Sequence, residues 1–296
     1  MEYEVPEYRK AFGSFHNSAS GGTQPIDEHV LKLYLRKEYK MNFPFAARPR
    51  AGQIVQEIVD LHLGLDNYSP IQGRKQGIAM GEAVRKGIDE YNTYQPRDWD
   101  GGKDIEEFGA FKDVFADMAA FAVEGLNEYF GSGELEGEYK MWLKDERIDV
   151  PTMLFQDYCG QGKQIDLKCS FPLRNPPRKD GTRTWRAPKP RTTPTPQQQM
   201  QQAVYYKATG DKPALLFVTP AGWHVCTPEN CDALKPDVLE GVYEDVAQRW
   251  IVIQNLLRAS NGNWKTLFGL VQPDFGTIAG RHGPEIIKIA REAWRI

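Results

Sequence analysis

The first 130 residues carry apolar side chains at the spacing of amphipathic helices. Phe108, Phe111 and Phe115, for example, recur every three or four positions and would form one buried stripe along a helix. Acidic residues also stand near the start of the first such segment and basic ones near its end, the order that the helix dipole favours. These patterns predict helices at residues 27–40, 50–63, 74–92 and 105–130, the last one ended by Gly131, Ser132 and Gly133.

After residue 135 the pattern changes to short extended segments. Gly160 and Gly162 separate two of them, which is typical of a tight β-hairpin. Strands are predicted at residues 136–145, 148–158, 163–169, 213–219 and 222–226, and further helices at 197–209, 235–260 and 284–295. This order predicts an α+β fold in which helices flank one central mixed β-sheet. We expect a single domain over residues 1–296, with a mainly helical part at 1–133, a sheet-containing core at 134–226 and C-terminal helices at 227–296.

The composition is that of an ordinary globular protein, with 41% hydrophobic and 26% charged residues. No apolar run approaches the roughly 20 residues that a membrane-spanning helix needs. The first residues lack the basic start and apolar stretch of a signal peptide, so a cytoplasmic protein without membrane contact is expected. The four cysteines form no Cys-x-x-Cys pair, and free thiols are therefore predicted.

The segment that carries chemistry is the predicted hairpin. On its second strand Ile165 and Leu167 point to one face, and Asp166 and Lys168 to the other. The hairpin turn brings Asp157 alongside them. Two adjacent carboxylates repel each other unless a cation lies between them, and hard oxygen ligands suit Mg²⁺ or Mn²⁺.

Lys168 would then orient an attacking water or offset charge on a scissile phosphate. Asp-x-Lys alone is also compatible with a surface ion pair on an exposed strand, so the neighbouring residues decide between the two interpretations.

Those neighbours resemble the PD-(D/E)XK nucleases, in particular the RecB-like and phage-type exonuclease branch. Members have an acidic residue on one strand, here Asp157, followed by Asp/Glu-x-Lys and usually Thr or Ser on the next, here Asp166-Leu167-Lys168-Cys169-Ser170. Cys169 departs from the usual Thr. The resemblance covers about residues 148–220. It implies a restriction-endonuclease-like core and one or two Mg²⁺ or Mn²⁺ ions bound by Asp157, Asp166 and the backbone carbonyl of Leu167.

The same branch adds a downstream helix with Gln-x-x-x-Tyr. Gln201 and Tyr205 are four apart on the predicted helix at 197–209 and hence share a face. The resemblance implies that they contact DNA near the active site. Gln202 and Tyr206 have the same spacing, which leaves the register open by one residue.

For two of the predicted metal ligands, the sequence offers a second candidate residue. Asp149 also follows an extended segment, although the shorter hairpin favours Asp157. The family places a His or Glu from an upstream helix at the metal, and Glu57, shortly after Gly52, is the candidate here, with Glu82 as its rival.

Residues 171–196 form a basic, proline-rich segment in a chain whose net charge is −3. The prolines are expected to keep it extended and to prevent regular strand pairing. Its arginines would neutralise DNA phosphates, and Trp185 would either stack on a base or pack against the core. The residues predicted to bind DNA are Arg183, Trp185, Arg186 and Arg191.

Together these features predict a Mg²⁺-dependent DNA exonuclease of phage type, which would act in recombination or DNA degradation in the cytoplasm. A structure-specific or restriction-like endonuclease, and a non-catalytic DNA-binding protein on the same fold, are the alternatives. DNA is the expected partner, with a homo-oligomer or a single-strand annealing protein as further ones.

Overall fold

The computed structural model describes residues 3–42, 46–65, 76–97, 102–131, 134–180 and 183–295. The helices in these ranges are α1 (Glu7–Ala11), α2 (Ile26–Tyr34), α3 (Ala47–Leu63), α4 (Met80–Tyr91), α5 (Lys103–Phe111), α6 (Phe115–Phe130), α7 (Pro196–Thr209), α8 (Pro236–Ser260), α9 (Trp264–Leu270), α10 (Phe275–Arg281) and α11 (Pro284–Trp294). The strands are β1 (Asn17–Ser18), β2 (Glu136–Leu143), β3 (Thr152–Gly160), β4 (Lys163–Cys169), β5 (Leu173–Arg174), β6 (Trp185–Arg186), β7 (Leu215–Thr219) and β8 (Gly222–Cys226).

Six of the strands form a mixed sheet in the order β1-β3-β4-β7-β8, with β2 paired to β3. The β2–β3, β3–β4 and β7–β8 pairs are antiparallel, whereas β4–β7 and β1–β3 are parallel. Helices flank this sheet, and the predicted α+β fold class is confirmed.

Strand β7 lies in the middle of the molecule and buries every residue from Leu215 to Thr219. Because successive side chains alternate between faces, it contributes to two apolar cores. Leu216 and Val218 join the core under α3 and α6, and Leu215 and Phe217 join the core under α7 and α8.

The predicted hairpin joins β3 to β4 through two residues. Gln161 and Gly162 both have positive φ angles, +54° and +69°, as a two-residue turn matched to the twist of the strands requires. Gly160 is needed for a different reason: a Cβ atom there would lie 2.2 Å from the carbonyl oxygen of Glu134. The glycines therefore fix both the turn and its approach to the chain that precedes β2.

Several boundaries differ from those predicted. The helix expected at 105–130 is two helices joined by a 3₁₀ turn at Lys112–Val114, and this turn leaves Phe111 and Phe115 both fully buried. Since 3₁₀ and α spacing are alike over one turn, the pattern could not separate them. The helix expected at 74–92 begins at Met80, and residues 74 and 75 lie outside the described ranges, as do Ser132 and Gly133.

The basic segment corrects another expectation. Its prolines do not prevent strand pairing, because β5 and β6 form a short antiparallel pair in which Leu173 faces Arg186 and Arg174 faces Trp185. None of these four positions is a proline, so each backbone amide stays available.

Two other features concern the chain as a whole. None of the helices in the described ranges is long and apolar enough to cross a membrane. The four cysteines are free, as predicted.

Candidate active site

The candidate site lies in a fork between β3 and β4. The two strands pair only near the hairpin turn, up to Tyr158 opposite Ile165. At its other end, Thr152 and Met153 of β3 pair with β1. Between these points, residues 154–157 have no strand partner on that edge among the described residues. The sheet therefore opens at the position of Asp157.

On its other edge, β4 bonds to β7 and to the chain that leads into β7. The amides of Gln164, Asp166 and Ser170 donate to carbonyls on that side, at 3.0, 3.1 and 2.8 Å. In a parallel pair alternate residues bond to the same neighbour, so the backbone of Leu167 faces the fork instead. Its amide donates to Oδ2 of Asp157 at 2.8 Å, and its side chain is in the core on the opposite face. The carbonyl of Leu167 consequently points into the fork.

Asp157 and Asp166 face each other across this fork, with their carboxyl groups close enough for the charge of one to act on the other. Asp166 is almost fully buried, at 2% exposure. Burial, and then the charge of Asp166, raise the pKa of Asp157 well above its ordinary value. The pair therefore tends to hold a proton unless a cation replaces it.

Lys168 is the cation that the fold itself supplies. Its ammonium group pairs with Asp166 and donates to Oε1 of Gln201 at 3.1 Å. Burial would lower the pKa of Lys168, but the charges of Asp166 and Asp157 outweigh burial and raise it. Lys168 is therefore protonated at neutral pH and acts as a fixed positive charge, not as a base.

Helix α7 delivers Gln201 and Tyr205 to the site. The Gln201 amide donates to the Tyr205 hydroxyl at 2.7 Å, which in turn donates to the carbonyl of Phe155 at 2.6 Å. This chain of bonds ties the helix to the open edge of β3. The alternative pair on this helix, Gln202 and Tyr206, does not reach the site. Gln202 is fully buried, and Tyr206 packs against the core under α7 and α8.

A cavity of about 330 Å³ opens over these groups. Its lining adds Gln53 and Gln56 of α3 and the segment Ser18–Ser20. These residues were missed from the sequence because neutral side chains give no charge signal. The full lining is Ser18, Ala19, Ser20, Gly52, Gln53, Gln56, Met153, Phe155, Asp157, Asp166, Leu167, Lys168, Cys169, Gln201 and Tyr205.

The structure corrects the expectation for the upstream acid. Glu57 does not line the cavity, because its position on α3 turns it towards Arg50, with which it forms an ion pair at 3.3 Å. Its rival Glu82 pairs with Lys86 on α4, at 3.1 Å. Gln53 and Gln56 of α3 line the cavity in place of the predicted carboxylate.

Asp149, the rival of Asp157, takes part in a separate ion pair outside the candidate site. Its carboxylate forms an ion pair with the buried Arg9 at 2.7 Å and accepts a hydrogen bond from Tyr8, while its backbone amide donates to Gln254. Asp149 therefore has a structural environment, and Asp157 is the acid that meets Asp166.

The residues predicted to bind DNA lie outside this cavity. Trp185 packs against the core near Phe111, at 6.3 Å between ring centroids, and with Arg183 it lines a second cavity near α5. Arg186 and Arg191 are exposed. A DNA-binding role for these four residues stays a prediction.

The donor set at the fork fits a hard divalent cation. Two carboxylates, a backbone carbonyl and the amide side chains of Gln53 and Gln56 offer oxygen. Burial, with the charge of Asp157, raises the pKa of Cys169 to about 12, which keeps that thiol protonated and a poor ligand. Groups of three or more His, Cys, Asp or Glu side chains able to hold a metal are absent from the described residues, so any ion would depend on amide, carbonyl or water oxygens as well.

Comparisons with known proteins give no independent assignment. No family model, no curated protein and no solved structure matches this chain.

Proposed function

We propose that the protein is a Mg²⁺-dependent deoxyribonuclease of the PD-(D/E)XK type. The observation that supports this most is the approach of two carboxyl groups, those of the buried Asp166 and the half-buried Asp157, in an oxygen-lined cavity beside a protonated lysine. The two acids and one lysine leave a negative charge when both acids ionise. A divalent cation relieves that charge, whereas a purely structural ion pair would need one acid only.

The residues of the chain divide the work of phosphodiester hydrolysis. Asp157, Asp166 and the Leu167 carbonyl would hold the ion, which supplies a Lewis acid for the phosphate and lowers the pKa of a bound water. Lys168 donates to a phosphate oxygen and offsets the charge that develops there. Gln201 fixes the Lys168 ammonium group, and Tyr205 fixes Gln201 against β3. Lys168 is thus held ready before substrate arrives.

Digestion from DNA ends, as in the phage-type exonucleases that the sequence resembles, is part of the proposal. Linear and closed-circular duplex DNA, each incubated with Mg²⁺ or with EDTA, separate the possibilities. Loss of linear DNA alone, in Mg²⁺ alone, supports an exonuclease. Nicked circles support the endonuclease alternative. DNA left intact under every condition contradicts the nuclease proposal and favours a binding protein.

Lys168→Ala tests the mechanism directly. We expect cleavage to fall by about 10²–10³-fold, the usual effect of removing one donor that stabilises transition-state charge. Calorimetry should show that Mg²⁺ still binds, since both carboxylates remain.

Lys163→Ala is the matched control, because Lys163 lies on the same strand but donates to the Tyr129 carbonyl on another side. Cleavage by Lys168→Ala at the rate of the Lys163→Ala protein would remove Lys168 from the mechanism.

A further inference from the structure

The face of the sheet that holds the candidate site continues outward onto β2. Met153 and Phe155 line the cavity, and their cross-strand neighbours on β2 are Trp142 and Lys140. Directly opposed residues of an antiparallel pair share a face of the sheet. Trp142 and Lys140 therefore lie on the same face as the cavity, just beyond its wall.

Aromatic and cationic groups are interleaved on this face. The Lys140 ammonium group is 5.6 Å from the centre of the Trp142 ring and 5.9 Å from that of Phe155. The His16 ring meets the Trp142 ring edge-on at 5.8 Å. Lys140 and His16 are exposed, and Trp142 and Phe155 are half-buried. We call these four residues the aromatic track.

Positive charge lies at the outer end of the track, whereas Glu138 lies on the same face of β2 closer to the acidic fork. Partial burial of the ring lowers the pKa of His16, and the charges of Lys140 and Arg36 lower it further. Arg36 is itself exposed. Tyr3 also contacts the Trp142 ring, at 5.9 Å, and the ring is half-buried. Cations beside a ring that keeps part of its surface exposed suit a polyanion whose bases are free to stack.

We propose that the aromatic track binds an unpaired DNA strand and leads it into the cavity at Asp157 and Asp166. A base would stack on Trp142, and Lys140 would pair with a neighbouring phosphate. The position opposite Asp157 is Glu138, four residues along β2 from Trp142 and about 13 Å from it at the rise of a strand. The direction of the strand towards the cavity rests on the proposed nuclease function, whereas binding to the track does not.

Fluorescence anisotropy with a labelled oligo(dT) strand tests the track in EDTA, where metal-dependent cleavage cannot interfere. We expect Trp142→Ala to weaken binding about ten-fold, within the range that one base–aromatic stack contributes, and Trp142→Phe to retain most of the affinity. Lys140→Ala should weaken binding and reduce its salt dependence by about one released counterion. Lys112→Ala is the control, because Lys112 also lies over a ring, that of Phe108 at 4.1 Å, on a different element.

The outcomes separate this proposal from the nuclease proposal. A wild-type protein that binds oligo(dT) through Trp142 but never cleaves DNA in Mg²⁺ would support the track and contradict the nuclease. Trp142→Ala and Lys140→Ala proteins that fold normally by circular dichroism and bind oligo(dT) like wild type would overturn the track. An equal loss on a blunt hairpin duplex would overturn its assignment to an unpaired strand.

Discussion

At the scale of single residues, the proximity of Asp157 and Asp166 lowers the stability of the metal-free protein and at the same time creates a place for a cation. Burial and the neighbouring carboxyl raise the pKa of Asp157 in the folded protein. In the unfolded chain the same group ionises near pH 4. The folded state therefore holds an extra proton as the pH rises from about 4 towards neutrality, and the metal-free protein loses stability over that range.

Asp157→Asn should accordingly stabilise the metal-free protein at neutral pH. An asparagine keeps an oxygen that can accept from the Leu167 amide but carries no charge. Each unit by which the Asp157 pKa exceeds its unfolded value corresponds to about 1.4 kcal/mol. Thermal or urea unfolding in EDTA at pH 7–8 should show the gain, while added Mg²⁺ should stabilise only the wild-type protein.

The acid side of the same experiment provides its control. At about pH 4 the wild-type Asp157 is protonated in the folded state, so the advantage of Asp157→Asn should disappear. A variant that is less stable than wild type in EDTA at neutral pH would contradict the raised pKa and the cation site that we derive from it.

At the scale of elements, the start of α7 determines how Lys168 is held. Thr195 caps the helix, since its side chain accepts from the Gln198 amide while the Gln198 side chain accepts from the Thr195 amide. The first turn of this helix leads directly to Gln201. Fraying there would loosen the bond between Gln201 and Lys168.

Thr195→Ala should therefore lower the free energy of unfolding by about 1 kcal/mol, the usual cost of losing such a cap. DNA cleavage should decrease as well, because Lys168 loses part of its orientation. Thr193→Ala is the matched control, being exposed two residues earlier and outside the helix. Equal unfolding midpoints in urea for the two variants would show that the cap does not hold α7 in place.

The same elements show what could be predicted from the sequence. The glycines near residue 161 and the alternation of Asp166 and Lys168 with apolar neighbours predicted the hairpin and the shared face, because both signals are local. The fork could not be predicted in this way. It depends on how β4 is placed between β3 and β7, and β7 is a strand almost fifty positions later in the sequence. The choice between the two Gln–Tyr registers on α7 likewise required packing, since both have helical spacing.

The short helices α9 and α10 were missed for a related reason. Each has seven residues, fewer than two periods of a helical pattern, although Asn263 and Asp274 cap them through their side chains. Gln56 was missed because the sequence does not define how α3 is rotated about its own axis. That rotation points Gln56 into the cavity and Glu57 towards Arg50.

At the scale of the whole molecule, the N-terminal segment forms one wall of the candidate site and is held there by residues far away in the sequence. Arg9 is fully buried. It forms an ion pair with Asp149, which precedes β3 in the sequence, and donates hydrogen bonds to Ser14 and Asn17. Asn17 belongs to β1, and the next three residues line the cavity. The ion pair thus connects residues 140 positions apart and holds one wall of the site.

Arg9→Met should destabilise the protein by about 3–5 kcal/mol, because it leaves Asp149 with a largely buried charge and without its guanidinium partner. Asp149→Asn should be similarly harmful. The double variant should lose at least about 1 kcal/mol less than the two single losses combined, since neither charge is then left alone. Urea unfolding of the four proteins gives this coupling, and hydrogen exchange at residues 14–20 should report loosening of the cavity wall in each single variant. Additive losses would mean that Arg9 acts through packing alone, and the wall of the site would then depend on the pairing of β1 with β3.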